Sequence, residues 1–194
     1  MDKQGIITSN LRAALLVKEK MLNDSPFQQD IAKAVDVIVD CFRKGGKVLF
    51  CGNGGSAADA QHLAAELSGR YYYDRPPLFA EALHVNTSYL TAVSNDYSFD
   101  ISYLRLVKAF VSRGDVLVSL STSGNSKNIV NAVREANAMG AYTIGLTGEG
   151  GGQLAGLCQM VFKVPSDDTP RIQEGQMFVG HTICEMVERI IFPQ

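Results

Sequence analysis

Several things are missing from this chain, and each absence excludes a class of function. There is no run of basic residues. With 18 Lys and Arg against 20 Asp and Glu the net charge is −2, so nucleic acid is not expected as a partner. No apolar run approaches the ~20 residues that a membrane-spanning helix needs, and the opening MDKQGIITSN lacks the basic, apolar and small-residue layout of a signal peptide. No membrane partner and a cytoplasmic location are therefore expected. The four cysteines, Cys41, Cys51, Cys158 and Cys184, show no CxxC spacing, and reduced, largely buried thiols are expected rather than disulfides or a thiolate metal centre. Internal repeats, linkers and low-complexity segments are also missing. The 194 residues read as one domain, with residues 1–45 forming helices that precede the first strand.

What is present centres on VLFCGNGGSAADAQHLAAELSGR, Val48 to Arg70. Val48 to Cys51 is a short apolar run suited to a strand buried on both faces. Gly52-Asn53-Gly54-Gly55 interrupts it and lets backbone approach a ligand closely. Ser56, with Asp59 three residues on, reads as a helix N-cap close to a capping box. A helix start behind a glycine turn offers free N–H groups and a positive dipole end to an anion such as phosphate.

The rest of the chain alternates. Helices are expected over 5–22 and, capped by Ser25 with Pro26 in its first turn, up to Gly45-Gly46. Their apolar faces are free to pack on the domain or on another subunit. Strands are expected at Ala80–Val85, Val116–Leu120, Ala141–Leu146 and Met160–Val164. Between them lie a short helix over Ser88–Val93, a longer one over Ser98–Phe110, and Lys127–Met139. A turn over Gly148–Gly152 leads into a short helix from Gln153, and a last helix opens after Ser166-Asp167-Asp168-Thr169-Pro170. Alternation of this kind predicts an α/β fold with a five-stranded parallel sheet, right-handed crossovers and helices on both faces. Ligands bind such sheets beyond the C-terminal strand ends, near a switch point. The turns 52–56 and 121–126 both fall there.

Four groups of residues can carry chemistry. Gly52, Gly54 and Ala57 satisfy G-x-G-x-x-A, the dinucleotide fingerprint. However, the second strand ends His84-Val85-Asn86-Thr87 without the acid that would hold a ribose, and no Gly-Lys-Ser/Thr follows; no nucleotide is expected. Ser121-Thr122-Ser123-Gly124-Asn125-Ser126 sets four hydroxyls before a helix, enough with backbone N–H groups to wrap a phosphate; alternatively it is an ordinary turn with Ser126 as N-cap. His62 and Glu66 are four apart on one helix face. With His181 and the weaker donor Gln173 on the last helix they offer nitrogen and oxygen ligands to zinc, or an acid/base pair, or no more than an exposed polar pair. His84 is expected to be a satisfied buried or edge histidine. Asn95-Asp96, again on the ligand side, suits sugar hydroxyls as well as a plain turn.

Taken together, CGNGGSAADAQHLAAELSGR, STSGNS, LTGEGGGQLAGL and VPSDDTPRIQEGQ resemble the phosphoheptose isomerases of the sugar isomerase, or SIS, fold, over nearly the whole chain from about Gly45. The resemblance implies a three-layer SIS fold and an enzyme interconverting sedoheptulose 7-phosphate and D-glycero-D-manno-heptose 7-phosphate, at the start of activated heptose supply for bacterial surface polysaccharides. It implies substrate contacts at Asn53, Gly54, Gly55, Ser56, Glu66, Asn95, Asp96, Ser121, Thr122, Ser123, Ser126 and Gln173. A zinc ion at His62, Glu66, Gln173 and His181 is implied, with Glu66 and His181 as the catalytic pair. A homotetramer with active sites at subunit contacts is implied as well. Gln173 and His181 lie eight residues apart, about 12 Å along a helix, so they are expected to serve sites through different subunits. Two positions depart from the pattern: Gln176 stands where many relatives have histidine, and Gly175 where they have a larger apolar residue. The rival reading is a non-enzymatic SIS protein that binds a replication initiator or senses a sugar phosphate; the carboxylate at Glu66 favours the enzyme.

Overall fold

A computed structural model describes residues 1–194. Its five strands, β1 (Val48–Gly52), β2 (Ala80–Ala82), β3 (Val116–Leu120), β4 (Tyr142–Gly148) and β5 (Met160–Val164), lie in the order β2-β1-β3-β4-β5. All pairings are parallel. Seven α-helices cover the sheet: α1 (Lys3–Leu22), α2 (Ser25–Arg43), α3 (Gly55–Ser68), α4 (Thr87–Asp96), α5 (Ser102–Phe110), α6 (Lys127–Ala138) and α7 (Thr169–Ile191). The expected α/β architecture is the one found.

Alternation along the strands divides the core. Val48, Phe50, Val116, Val118 and Leu120 face a 28-residue apolar cluster shared with α2, α3 and α7. Leu49, Cys51 and Leu117 face a 15-residue cluster shared with α5 and α6. These strands are buried on both faces, as a parallel sheet requires. The sheet grows from β1 toward β2 on one side and toward β3 on the other. The gap between the C-terminal ends of β1 and β3 is therefore the switch point where a ligand crevice opens.

Local departures from the expected boundaries have identifiable causes. Asp24, not Ser25, caps α2, accepting from the Phe27 amide at 3.0 Å. The cap of α3 is Gly54 at φ 57°, a left-handed conformation that suits glycine. Ser56 thus lies inside the first turn, buried, its amide bonded to the Asn53 carbonyl at 3.0 Å. β2 stops at Ala82, and α4, capped by Asn86 at 3.0 Å, runs through the supposed break to Asp96. The helix expected from Ser98 begins with one 3-10 turn, Phe99–Ile101. The Gly152–Gly156 segment is also 3-10 rather than α.

The first two helices behave differently. α2 buries Ile31, Ala34, Val35, Ile38, Val39 and Cys41, whereas α1 buries only Val17 and Met21. Ile7, Leu11, Leu15 and Leu22 on α1 remain exposed, and an apolar groove of about 540 Å³ runs between α1, α2 and α7, past Phe27, Ile31, Phe178 and Met186. No helix is long and apolar enough to cross a membrane. All four cysteines are free. Burial pushes the Cys51 thiol up to about 12 and that of Cys41 to about 11, so both stay protonated.

Candidate active site at the switch point and along two parallel helices

Two turns meet at the switch point. The β1–α3 turn carries Asn53, Gly54, Gly55 and Ser56; the β3–α6 turn carries Ser121, Thr122, Ser123 and Ser126. A reciprocal amide pair joins them: Asn53 Nδ2 donates to Asn128 Oδ1, and Asn128 Nδ2 donates to Asn53 Oδ1, both at 2.9 Å. Asn128 is buried in the first turn of α6, where its Oδ1 also accepts from the Ile129 amide. Sequence reasoning passed over Asn128, whose only signal was its place in the NSKN run.

The second turn is itself shaped by hydroxyls. Ser121 and Ser126 Oγ are 3.2 Å apart, and Ser123 Oγ accepts from the Asn125 amide at 3.2 Å. Ser126 occupies the N-cap of α6, as the turn reading expected, its carbonyl accepting from the Val130 amide at 2.9 Å, but its hydroxyl makes no cap bond. Gly124, at φ 65°, packs so closely on the Gly151 carbonyl that a side chain could not be accommodated. The Leu154 amide bonds to the Gly124 carbonyl at 3.1 Å and the Gln153 amide to Asn125 Oδ1 at 3.0 Å. Gly148–Gly152, expected to be a turn only, thus buttresses the hydroxyl turn. A cradle of hydroxyls and the free N–H groups of a helix start suits a dianionic phosphate.

The titratable residues gather elsewhere, along α3 and α7. These helices run in the same direction: Gly55 lies beside Gln173, Leu63 beside Gly180, and the chain just after α3 beside Glu188. A Cβ on Gly180 would stand 2.5 Å from Leu63 Cδ1, so this glycine lets the two helices approach closely. In the space beyond, His62 Nε2 and Glu66 Oε1 are 3.1 Å apart, and His181 Nε2 is 3.4 Å from His62 Nε2. The two imidazoles are stacked edge to face, 4.9 Å between centroids. One ligating atom from each of His62, Glu66 and His181 lies within 4.8 Å of the others. Two nitrogens and a carboxylate oxygen so converged fit a zinc ion's preferred donors. Burial, and then the neighbouring His62, lower the His181 pKa; Glu66 and Asp59 oppose this less strongly. This favours the neutral imidazole, the form that can both give and take a proton.

The remaining positions are placed as follows. Gln173 sits two turns before His181, its amide nitrogen against Gly55, where a Cβ would be 2.5 Å away. It shares a groove with Asp59, Lys18 and His181. Asp59, read from sequence only as part of a cap, lies one turn before His62 on the same face, with one carboxylate oxygen buried and unpartnered. Its spacing from His62 was the available signal. Asn95 and Asp96 are exposed at the end of α4, bonded to each other at 2.9 Å, and the structure does not bring them to the histidine cluster. His84 is half-buried, but its Nδ1 has no partner, so it is not the satisfied histidine expected. Gln176 is fully buried and donates to the Leu146 carbonyl at 2.9 Å. It faces the sheet and takes no part in the His62–Glu66–His181 cluster. Gly175 lies where a Cβ would meet Val164 at 2.5 Å; a larger residue there requires β5 or α7 to shift.

The SIS domain family matches residues 17–148 of this chain. A phosphoheptose isomerase of Rhodospirillum rubrum is 56% identical over 158 residues, 81% of this chain and 84% of that protein. One from Clostridium acetobutylicum is 44% identical over 189 residues, 97% and 96% of the two chains. Among solved structures, a phosphoheptose isomerase from Francisella tularensis superposes with a TM-score of 0.92 at 35% identity, covering 97% of this chain and all of that one. With the fold, the hydroxyl turn and the His62–Glu66–His181 cluster in place, the chain belongs to the SIS domain family and, within it, to the phosphoheptose isomerases.

Proposed function

We propose that the protein isomerises sedoheptulose 7-phosphate to D-glycero-D-manno-heptose 7-phosphate, supplying heptose for bacterial surface polysaccharides from the cytoplasm. The observation that carries this reading is the convergence of a carboxylate and an imidazole, Glu66 and His181, in a SIS domain. Moving a carbonyl from C2 to C1 requires one proton to leave C1 and one to arrive at C2, with a further proton passing from O1 to O2. Glu66 takes the C1 proton to give the 1,2-enediol and returns a proton to C2. Its Oε1 is engaged by His62, while Oε2 makes no hydrogen bond and is free for this transfer. His181 carries the proton between the oxygens. Positioned groups of this kind typically contribute 10²–10⁴-fold each. The phosphate is held by Ser121, Thr122, Ser123 and Ser126 with Gly54, Gly55 and Ser56, and the sugar hydroxyls by Asn53, Asn95 and Asp96.

Zinc is the proposed metal, held by His62, Glu66 and His181 with Gln173 as a fourth donor. When bound it supplies a Lewis acid that polarises the carbonyl and stabilises negative charge on oxygen. The eight-residue offset from His181, about 12 Å along α7, supports a Gln173 donor from a neighbouring subunit. Two observations support active sites shared within a homotetramer. Ser56 and Glu66 are ten residues apart on α3, about 15 Å of helix axis, and Leu11, Leu15 and Leu22 of α1 are more than three-fifths exposed. A binding-only protein needs no carboxylate at Glu66. The test is turnover of sedoheptulose 7-phosphate by the purified protein, with and without zinc, beside Glu66→Gln. Turnover that the variant loses bears the proposal out; sugar-phosphate binding without turnover under either condition refutes it.

A further inference from the structure

The His62–Glu66–His181 cluster depends on two helices keeping a fixed separation, and the structure holds a buried device at the point where both leave it. Arg75 and Glu188 have side chains only 2% and 1% exposed and meet at 3.0 Å, Nε to Oε2. Most of the remaining hydrogen-bonding groups of the pair are engaged as well. Arg75 Nη2 donates to the Glu66 carbonyl at 2.8 Å and Nη1 to the Leu67 carbonyl at 2.7 Å, capping the last turn of α3. A second bond from Nη1 reaches the Pro76 carbonyl at 3.1 Å. Glu188 Oε2 accepts from the Tyr71 amide at 2.8 Å and Oε1 from the Tyr72 amide at 2.7 Å. Tyr73 Oη donates to the Phe192 carbonyl at 2.7 Å, fastening the same loop to the end of α7.

Three features set this apart from an ordinary buried pair. Arg75 bonds the backbone of Glu66 itself. Glu188 lies seven residues, two helical turns, after His181 and so on the same face of α7. The Tyr71 ring, whose amide Glu188 holds, stands 5.9 Å from the His181 imidazole. A guanidinium can serve a carboxylate and three carbonyls at once because its donors form a rigid fork, which a lysine ammonium does not. The bonds therefore tie the last turn of α3, which carries Glu66, to the helix α7 that carries His181.

We infer that Arg75 and Glu188 are positioning residues for the isomerase centre, acting through Glu66 and His181 without touching substrate. The inference rests on the function proposed above. Groups that orient ligands from behind typically change metal affinity or activity by 10–100-fold when altered, and that is the effect expected here.

The experiment uses the full-length protein with Arg75→Lys and Glu188→Asp, which retain charge. Three quantities are measured: thermal unfolding, the affinity for zinc alone by competition with a chelating indicator, and kcat and KM for sedoheptulose 7-phosphate. Folded variants are expected to bind zinc at least 10-fold more weakly and to lose at least 10-fold in kcat with KM within about 3-fold. A folded variant with unchanged zinc affinity and unchanged kcat overturns the inference, since a purely structural pair would move only the unfolding temperature. If Glu188→Asp does not fold, Arg75→Lys decides by the same readings. If neither variant folds, the pair is structural and the inference fails. A wild type that binds zinc without turning over the sugar refutes the proposed function and leaves the zinc arm to decide the inference. A wild type that turns over without zinc leaves kcat to decide it.

Discussion

Around Ser121–Ser126 every contact joins neutral groups: serine to serine, asparagine to asparagine, amide to carbonyl. Along α3 and α7 the contacts are between groups that titrate or carry charge, from His62 and Glu66 to the buried Arg75–Glu188 pair. On the function proposed above, the first region receives an anion and releases it each turnover. Neutral donors do this without a fixed cation that would hold product too tightly. The second region has to move protons, so it needs groups whose charge can change, and those groups must be held by others whose charge does not. On that proposal, binding and chemistry are kept in separate structural layers, one at the strand ends and one between helices.

The separation can be broken from either side. The largest effect is expected from Glu66→Gln, with kcat falling about 10²–10⁴-fold and KM little changed in steady-state assays. Next is Arg75→Ala, which leaves Glu188 buried without its partner. Unfolding in denaturant should show a loss of about 3–5 kcal/mol. On the binding side, Ser121→Ala should raise KM about 10-fold while kcat holds, the cost of one hydrogen bond to a charged group being about 1.5 kcal/mol. Asn128→Ala should have a similar or smaller effect, again on KM, because it releases Asn53 rather than removing a phosphate donor. A variant in the hydroxyl turn that lowered kcat alone would dissolve the distinction.

A smaller effect sharpens the charged side. Burial tends to raise the Glu188 pKa, but the Tyr72 and Tyr71 amides and Arg75 outweigh it and hold the carboxyl below its usual value. A carboxyl so depressed adds stability that is complete above the unfolded value, about 4.3, and is lost as pH falls through the folded one. Glu188→Gln should therefore flatten the acid limb of the stability–pH curve below about pH 4.3, measured by denaturant unfolding.

The sheet was legible because its signals are local. The apolar runs Val48–Cys51 and Val116–Leu120 and the glycine and serine turns behind them needed no tertiary information. His62 and Glu66 could be paired from their spacing alone, whereas their meeting with His181, open from residue type as one of three options, depended on α3 and α7 running in parallel, which no local pattern shows. Asn128 and the Arg75–Glu188 pair were not legible, and Asp59 was read only as part of a cap although its spacing from His62 was there to see. Asn128 acts across 75 residues and Glu188 across 113 from Arg75, and nothing in a local pattern marks such partners. Caps were misplaced by one or two residues because Asp24 competed with Ser25, and Gly54 with Ser56, for the same role. For Asn95 and Asp96 the sequence supplied a role that one chain alone does not assemble.

The central claim is that Glu66 passes a proton between C1 and C2. It is tested most directly by running the isomerisation in deuterium oxide and examining C2 of the product aldose. The account predicts deuterium at C2 with wild type and neither label nor turnover with Glu66→Gln. A product that keeps the substrate's own C1 hydrogen at C2, formed at an undiminished rate by the Glu66→Gln variant, would contradict it.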